Sequence, residues 1–179
     1  HAGAGTSFLG FQNSPSKEQL NLLNKVVEQM KSGGMVASIS ESILTKIWAK
    51  LFINIGINAL TVIHNCKNGN LLAIPEAQDQ MRLAIEEAIA VAAFENIETS
   101  APFQETIAVC KATEKNISSM LQDVKKQRKT EIEAINGAIV SLAERHGLAA
   151  PINTHLIQQV KEIEKRYEIT RDITRADRI

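Results

Sequence analysis

Two cysteines in 179 residues, Cys66 and Cys110, leave no room for a disulfide framework. They lie far apart, form no C-x-x-C pair and give no metal spacing, so a reducing, cytoplasmic setting with two ordinary buried thiols is expected. Glycine (9) and proline (4) are sparse, aromatic residues make up 4%, and 44% of the chain is hydrophobic. That balance excludes collagen-like, low-complexity and disordered classes. An excess of one charge is lacking too, since 20 Lys and Arg stand against 20 Asp and Glu. No global field draws the chain to nucleic acid or to an anionic membrane, and neither is expected as a partner.

The same holds for motifs. The four histidines (His1, His64, His146, His155) show no H-x-x-x-H or H-E-x-x-H arrangement, so no metal is expected. Gly3-Ala4-Gly5 fails the dinucleotide fingerprint because the third glycine would fall at Phe8, and no P-loop or G-x-S-x-G occurs. A charged n-region followed by an apolar stretch is missing, so no secretory signal is expected. Only Ile43 to Ile63 approaches the roughly 20 apolar residues of a membrane span, and Lys46, Lys50, Asn54 and Asn58 interrupt it. A buried helix of a soluble protein is the expectation. The chain opens on His1 rather than Met, which we read as a processed protein or a piece of a longer one.

What is present is helical periodicity over a length that suits one domain. Thr6 to Phe11 reads as a strand or strand end. Ser14-Pro15-Ser16 looks like a helix start with Pro near the first turn, the helix ends at Gly33-Gly34, and Met35 to Ile39 reads as extended. Ser40 or Ser42 caps the long helix that runs to about His64. Lys67 to Asn70 reads as a turn in which Asn and Gly tolerate positive φ. Pro75 and Pro102 open further helices, the first with a small-residue stripe through Ala84, Ala88 and Ala92. The basic run Lys125, Lys126, Arg128, Lys129 reads as a solvated face. Thr130-Glu131-Ile132-Glu133 fits a capping box, opening a helix that ends at Gly147. Pro151 begins the last amphipathic helix, and beyond Ile169 a charged tail lacks an apolar face and is expected to fray. The sum is an all-α bundle with a small β fragment at its front.

The chemistry is carried by a polar line on an apolar helix. Lys50, Asn54 and Asn58 recur at four-residue spacing, which advances only about 40° per step and keeps all three on one face. The residues around them are apolar on most of the circumference, so the helix is expected to be buried on nearly every side. A buried amide without a partner costs about 1–3 kcal/mol. Either these side chains bond neighbouring helices, or they line a cleft where the ammonium protonates an oxygen and the amides orient it. Asn116 and Ser119 would share a face if helical. Glu131 falls in a first helical turn, where the helix dipole favours a carboxylate; the alternative is a carboxylate that accepts a substrate hydroxyl.

These residues resemble a family. Trp48-Ala-Lys50-Leu-Phe-Ile-Asn54-Ile-Gly-Ile-Asn58 with Asn65-Cys-Lys-Asn68-Gly69 is similar to the opening of the C-terminal domain of ketopantoate reductase (2-dehydropantoate 2-reductase). Glu114-Lys-Asn116-Ile-Ser-Ser119, Arg128-Lys-Thr130-Glu131-Ile-Glu-Ala-Ile-Asn136-Gly137 and His146-Gly147-Leu-Ala-Ala-Pro151-Ile-Asn153 follow in the family's order. The resemblance covers roughly residues 1 to 168 and implies a helical bundle of the 6-phosphogluconate dehydrogenase C-terminal-domain type. Residues 1–12 would be the remnant of a missing Rossmann domain, 13–170 the substrate-binding and catalytic domain, and 171–179 a charged tail. It implies NADPH-dependent reduction of 2-dehydropantoate to pantoate in pantothenate biosynthesis. Lys50 would hydrogen-bond the keto oxygen and supply its proton, and Glu131 would accept from the substrate's terminal hydroxyl. Ser119 would bind the carboxylate, while Asn54, Asn58, Asn68 and Asn116 would orient substrate and lysine. Cofactor-binding residues cannot be carried over, so the chain alone is expected to be inactive and to bind NADPH weakly or not at all. A homodimer is compatible with the family. A reductase of another branched 2-keto acid, or a non-catalytic helical interaction module, are the alternatives.

Overall fold

The computed structural model describes the backbone of residues 5–176 and the side chains of residues 5–167. His1, Gly3 and the end of the charged tail, residues 177–179, lie outside the described residues. The chain divides into two compact units, His1–Trp48 and Ala49–Ile179.

In the first unit, β1 (Ser7–Leu9), α1 (Lys17–Ser32) and β2 (Ala37–Ile39) form a β-α-β arrangement whose two strands pair in parallel, Ser7 opposite Ala37 and Leu9 opposite Ile39. Parallel neighbours need such a crossover, and α1 provides it. Ser16 is the helix cap: the Gln19 amide donates to its Oγ at 3.2 Å, and the Ser16 amide donates to Gln19 Oε1 at 2.8 Å. Pro15 immediately precedes the cap, so the helix starts at Ser14-Pro15-Ser16 as the sequence suggests. The helix stops at Gly33, and Gly34 takes φ +82, a left-handed value that glycine adopts freely. Of the segment 1–12, the described residues 5–12 contribute β1 to this unit.

The second unit holds most of α2 (Ile43–Ile63), then a 3-10 segment Asn68–Ala73, α3 (Pro75–Phe94), α4 (Pro102–Ala112), α5 (Ser119–Lys125), α6 (Ile132–Arg145) and α7 (Pro151–Ala176). The expected all-α bundle with a short β part at its front is what forms. Its core combines Ile55 and Leu60 of α2, Met81 and Ile85 of α3, Ile139 of α6 and Leu156 and Val160 of α7, all fully buried. α3 touches α4, α6, α7 and the 3-10 segment. Its alanine stripe, Ala77, Ala84, Ala88 and Ala92, has no exposed surface, and small side chains there let the neighbouring helices approach closely. Among the described residues one helix, Ile43–Ile63, is long and apolar enough to cross a membrane by length and composition, and 56% of its most apolar window is buried within the protein.

Gly56 marks the tightest part of this packing. A Cβ there would lie 2.7 Å from Thr106 Cγ2 of α4 and 3.0 Å from Ile85 Cδ1 of α3. Gly56→Ala is therefore expected to cost about 1–3 kcal/mol through overpacking, despite alanine's better helix propensity. Urea denaturation checks this, and an unchanged or raised midpoint would contradict it.

Three local expectations are corrected. The capping box at Thr130 does not form: Glu131 occupies the cap position, the Ile132 amide donates to Thr130 Oγ1 at 3.3 Å, and the Thr130 amide donates to Glu164 instead of Glu133. Glu133 is turned outward and pairs with Lys161. In the expected turn at 67–70, the positive φ falls earlier, at Asn65 (φ 44), and Asn68 and Gly69 open the 3-10 segment. Finally, α7 continues to Ala176, through most of the segment read as a frayed tail.

Candidate functional site

The polar line of α2 descends from surface to core. Lys50 is exposed, Asn54 half-buried and Asn58 only 5% exposed. The expectation of burial on nearly every side thus holds from Phe52 to Val62 and fails at Lys50. The ammonium remains in water, where its charge carries no desolvation cost.

One further step along the same face stands Thr61, fully buried. Its Oγ1 lies 2.8 Å from the Asn58 carbonyl oxygen and 2.6 Å from Ser118 Oγ. Ser118 caps α5, its Oγ accepting from the Leu121 amide at 3.1 Å. Each hydroxyl has one hydrogen. The assignment that uses each once has Thr61 donating to the Asn58 carbonyl and Ser118 donating to Thr61. This chain of bonds ties the polar face of α2 to the start of α5, whose first residue is Ser119.

A second tie lies beside it. The Asn68 amide donates to the Asn116 carbonyl at 3.0 Å and the Gly69 amide to the Glu114 carbonyl at 3.2 Å. Asn68 Nδ2 also donates to Thr113 Oγ1 at 2.9 Å, while its Oδ1 is buried with no partner among the described residues. Gly69 is required by proximity: a Cβ there would lie 2.8 Å from Glu114 Cα. Asn116 precedes α5, so the condition under which it would share a helical face with Ser119 is not met.

Glu131 stands at the cap of α6 with an exposed side chain. The structure therefore brings together Asn58 with the start of α5, and Asn68 with Asn116. No hydrogen bond or ion pair among the described residues joins Lys50 or Glu131 to that cluster. Sequence reasoning passed over three participants. Thr61 extends the 50, 54, 58 series at helical spacing, and Ser118 opens a short helix, so both carried a readable signal. Glu164 carried one too, because Ile157, Val160, Glu164 and Tyr167 follow the buried stripe of α7.

Other chemistry is sparse. Both cysteines are free. Burial, reinforced by the neighbouring Cys66, pushes the Cys110 thiol up to about 11, and burial also raises Cys66, so neither is a ready nucleophile at neutral pH. No group of three or more potential metal ligands occurs among the described residues. A groove of about 390 Å³ on α6 and α7, lined by Val140, Glu144, Pro151 and His155, holds none of the candidate residues. The arrangement around α2 and α5 is a polar row that runs from the exposed Lys50 to the buried Asn58 and is closed at its inner end by two hydroxyls bonded to each other.

Residues 42–164 match the family model described as ketopantoate reductase PanE/ApbA C terminal. A 2-dehydropantoate 2-reductase of Shigella flexneri is 44% identical over 129 residues, 71% of this chain and 42% of the relative. One of Archaeoglobus fulgidus is 33% identical over 92% of this chain and 54% of the relative. Among solved structures, a PanE/ApbA family ketopantoate reductase from Ralstonia eutropha superposes with TM-score 0.83 at 26% identity, covering 94% of this chain and 54% of that one. A D-mandelate dehydrogenase in ternary complex with NADH and anilino(oxo)acetate gives 0.80 at 29% identity, over 92% and 68%. The chain spans about half the length of the curated relatives it matches.

Proposed function

This chain belongs to the ketopantoate reductase family, and from that premise we propose that it forms the substrate-binding and catalytic half of an NADPH-dependent 2-dehydropantoate 2-reductase acting in the cytoplasm. The observation that carries the reading is the junction of the α2 polar row with the start of α5 through Thr61 and Ser118. It links the turn of α2 that carries Asn58 to the start of α5, where Ser119 stands, and so supports a ligand site that uses both.

In this reading Ser119 and the asparagine amides hold and orient a 2-keto acid. Glu131 accepts a hydrogen bond from its terminal hydroxyl. Lys50 donates to the keto oxygen and gives up its proton as negative charge develops there, the work of a general acid. A reduced nicotinamide cofactor, when bound, would supply the hydride. The chain's own residues do not fit that group. No G-x-G-x-x-G occurs, and at the start of α1 the Ser16 and Gln19 amides are already taken by the capping box. The cofactor would be held by a nucleotide-binding half beyond these residues.

A second reading, reduction of another branched 2-keto acid, is favoured by the likeness to D-mandelate dehydrogenase. NADPH oxidation by the full-length protein separates the two. The expected result is a higher kcat/KM for 2-dehydropantoate than for a branched 2-keto acid lacking the hydroxyl, because an unpaired Glu131 is left with the latter. The reverse preference would replace the first reading by the second.

A further inference from the structure

The segment that carries Glu131 is held from a distance. Between α5 and α6, residues 128–131 receive two hydrogen bonds from α7. Tyr167 Oη donates to the Arg128 carbonyl at 2.6 Å, and Glu164 Oε1 accepts from the Thr130 amide at 2.6 Å. The partners are separated by 39 and 34 residues. Glu164 is 8% exposed and Tyr167 9%, one turn apart on the buried stripe of α7.

Helix capping does not account for the Glu164 bond. The amides left open at the start of α6 begin at Ile132, whose partner is Thr130 Oγ1. The Thr130 amide lies before the cap, outside the helix. A buried carboxylate is also an expensive way to satisfy one amide, since an apolar packing of similar volume is often as stable. What the bond does achieve is local: it fixes the peptide immediately ahead of Glu131, and Ile132 is fixed immediately behind it. Glu131 itself sits at φ −89, ψ 19, in the sparsely populated bridge region where active-site residues recur. Its side chain projects to solvent from between two immobilised peptides.

We infer that Glu164 is a positioning residue for Glu131, setting where the Glu131 carboxylate meets the substrate's hydroxyl, with Tyr167 steadying the other end of the segment. The inference rests on the proposed reductase reading and adds to it a residue that determines specificity. A displacement of 1 Å at a reacting or recognising group costs on the order of 100-fold, so a clamp of this kind governs selectivity without touching the ligand.

The test is kinetic, in the full-length protein with NADPH and two substrates: 2-dehydropantoate and a branched 2-keto acid lacking the hydroxyl. The ratio of the two kcat/KM values measures the Glu131 contact and cancels general damage. Glu164→Leu is expected to lower this ratio at least about tenfold, chiefly through KM for 2-dehydropantoate. Glu164→Gln, which keeps an acceptor oxygen and the side-chain volume, is expected to hold the ratio within about threefold of the parent. In a Glu131→Ala background, Glu164→Leu should leave the ratio where Glu131→Ala has put it. Equal loss on both substrates in Glu164→Leu, or a tenfold fall in the ratio that persists in the Glu131→Ala background, would overturn the positioning role. A parent protein that does not prefer 2-dehydropantoate would instead overturn the reductase reading, and the inference with it.

Discussion

Lys50→Ala is expected to lower kcat for 2-dehydropantoate reduction by about 10²–10⁴ in the full-length protein, the span typical of a removed general acid. Its expected effect on stability is small, within about 0.5 kcal/mol, because the side chain is exposed and makes no ion pair or hydrogen bond among the described residues. That contrast is diagnostic. A lysine kept for packing would show the opposite pattern, with melting temperature falling and turnover intact. Steady-state rates and thermal denaturation on the same preparation check both halves. A variant with normal turnover would remove Lys50 from the mechanism.

Asn153→Leu is the substitution expected to cost most stability. Asn153 is fully buried at the junction of α3, α6 and α7. Its Nδ2 donates to the Ala84 carbonyl at 3.1 Å and to Glu87 Oε2 at 2.7 Å, and its Oδ1 accepts from Asn136 Nδ2 at 2.9 Å. Glu87 also takes the Ile152 and Asn153 amides, at 2.8 and 3.0 Å, and so closes the N-terminus of α7 with a carboxylate where the dipole favours one. Leucine has the right volume but leaves the Asn136 amide without its donor bond in a dry site, where its Oδ1 already lacks a partner. With one bond also lost at Ala84 and one at Glu87, a destabilisation of about 4 kcal/mol is expected. For a domain of this size that lowers Tm by roughly 8–16 °C. Replacing Asn136 by leucine as well removes the orphaned amide and should recover part of the loss. A single variant within about 1 kcal/mol of the parent would show that the network is dispensable.

Much of the fold was legible because the signals were strong and local. The prolines at 75, 102 and 151 each begin a helix, Gly33 and Gly34 end one, and the apolar periods of α2, α3 and α6 run as the sequence implies. What misled was chemistry with two equivalent outlets. Thr130 and Glu133 satisfy the capping-box pattern, but a buried carboxylate 34 residues on competes for the same amide and wins. At Asn68-Gly69 the composition suggested positive φ, whereas glycine is needed because Glu114 passes too close for a side chain.

The candidate site was half legible. The Lys50, Asn54, Asn58 row follows from period alone, and Asn68 and Asn116 do meet through their backbone. That Asn58 reaches the Ser119 helix by way of Thr61 and Ser118 could not be read, because it depends on how α2 and α5 dock. Nor does periodicity say that α2 rises out of the core before Lys50. The structural alternative for the row, partners on neighbouring helices, describes Thr61 but not Lys50, whose charge is in water.

The most direct measurement is a crystal structure of the full-length protein with NADP and pantoate. The expected complex has the 2-oxygen of pantoate within about 2.6–3.2 Å of Lys50 Nζ, its carboxylate on Ser119, and its terminal hydroxyl on Glu131. Pantoate bound with Lys50 and Ser119 facing solvent, away from its 2-oxygen and carboxylate, would contradict it.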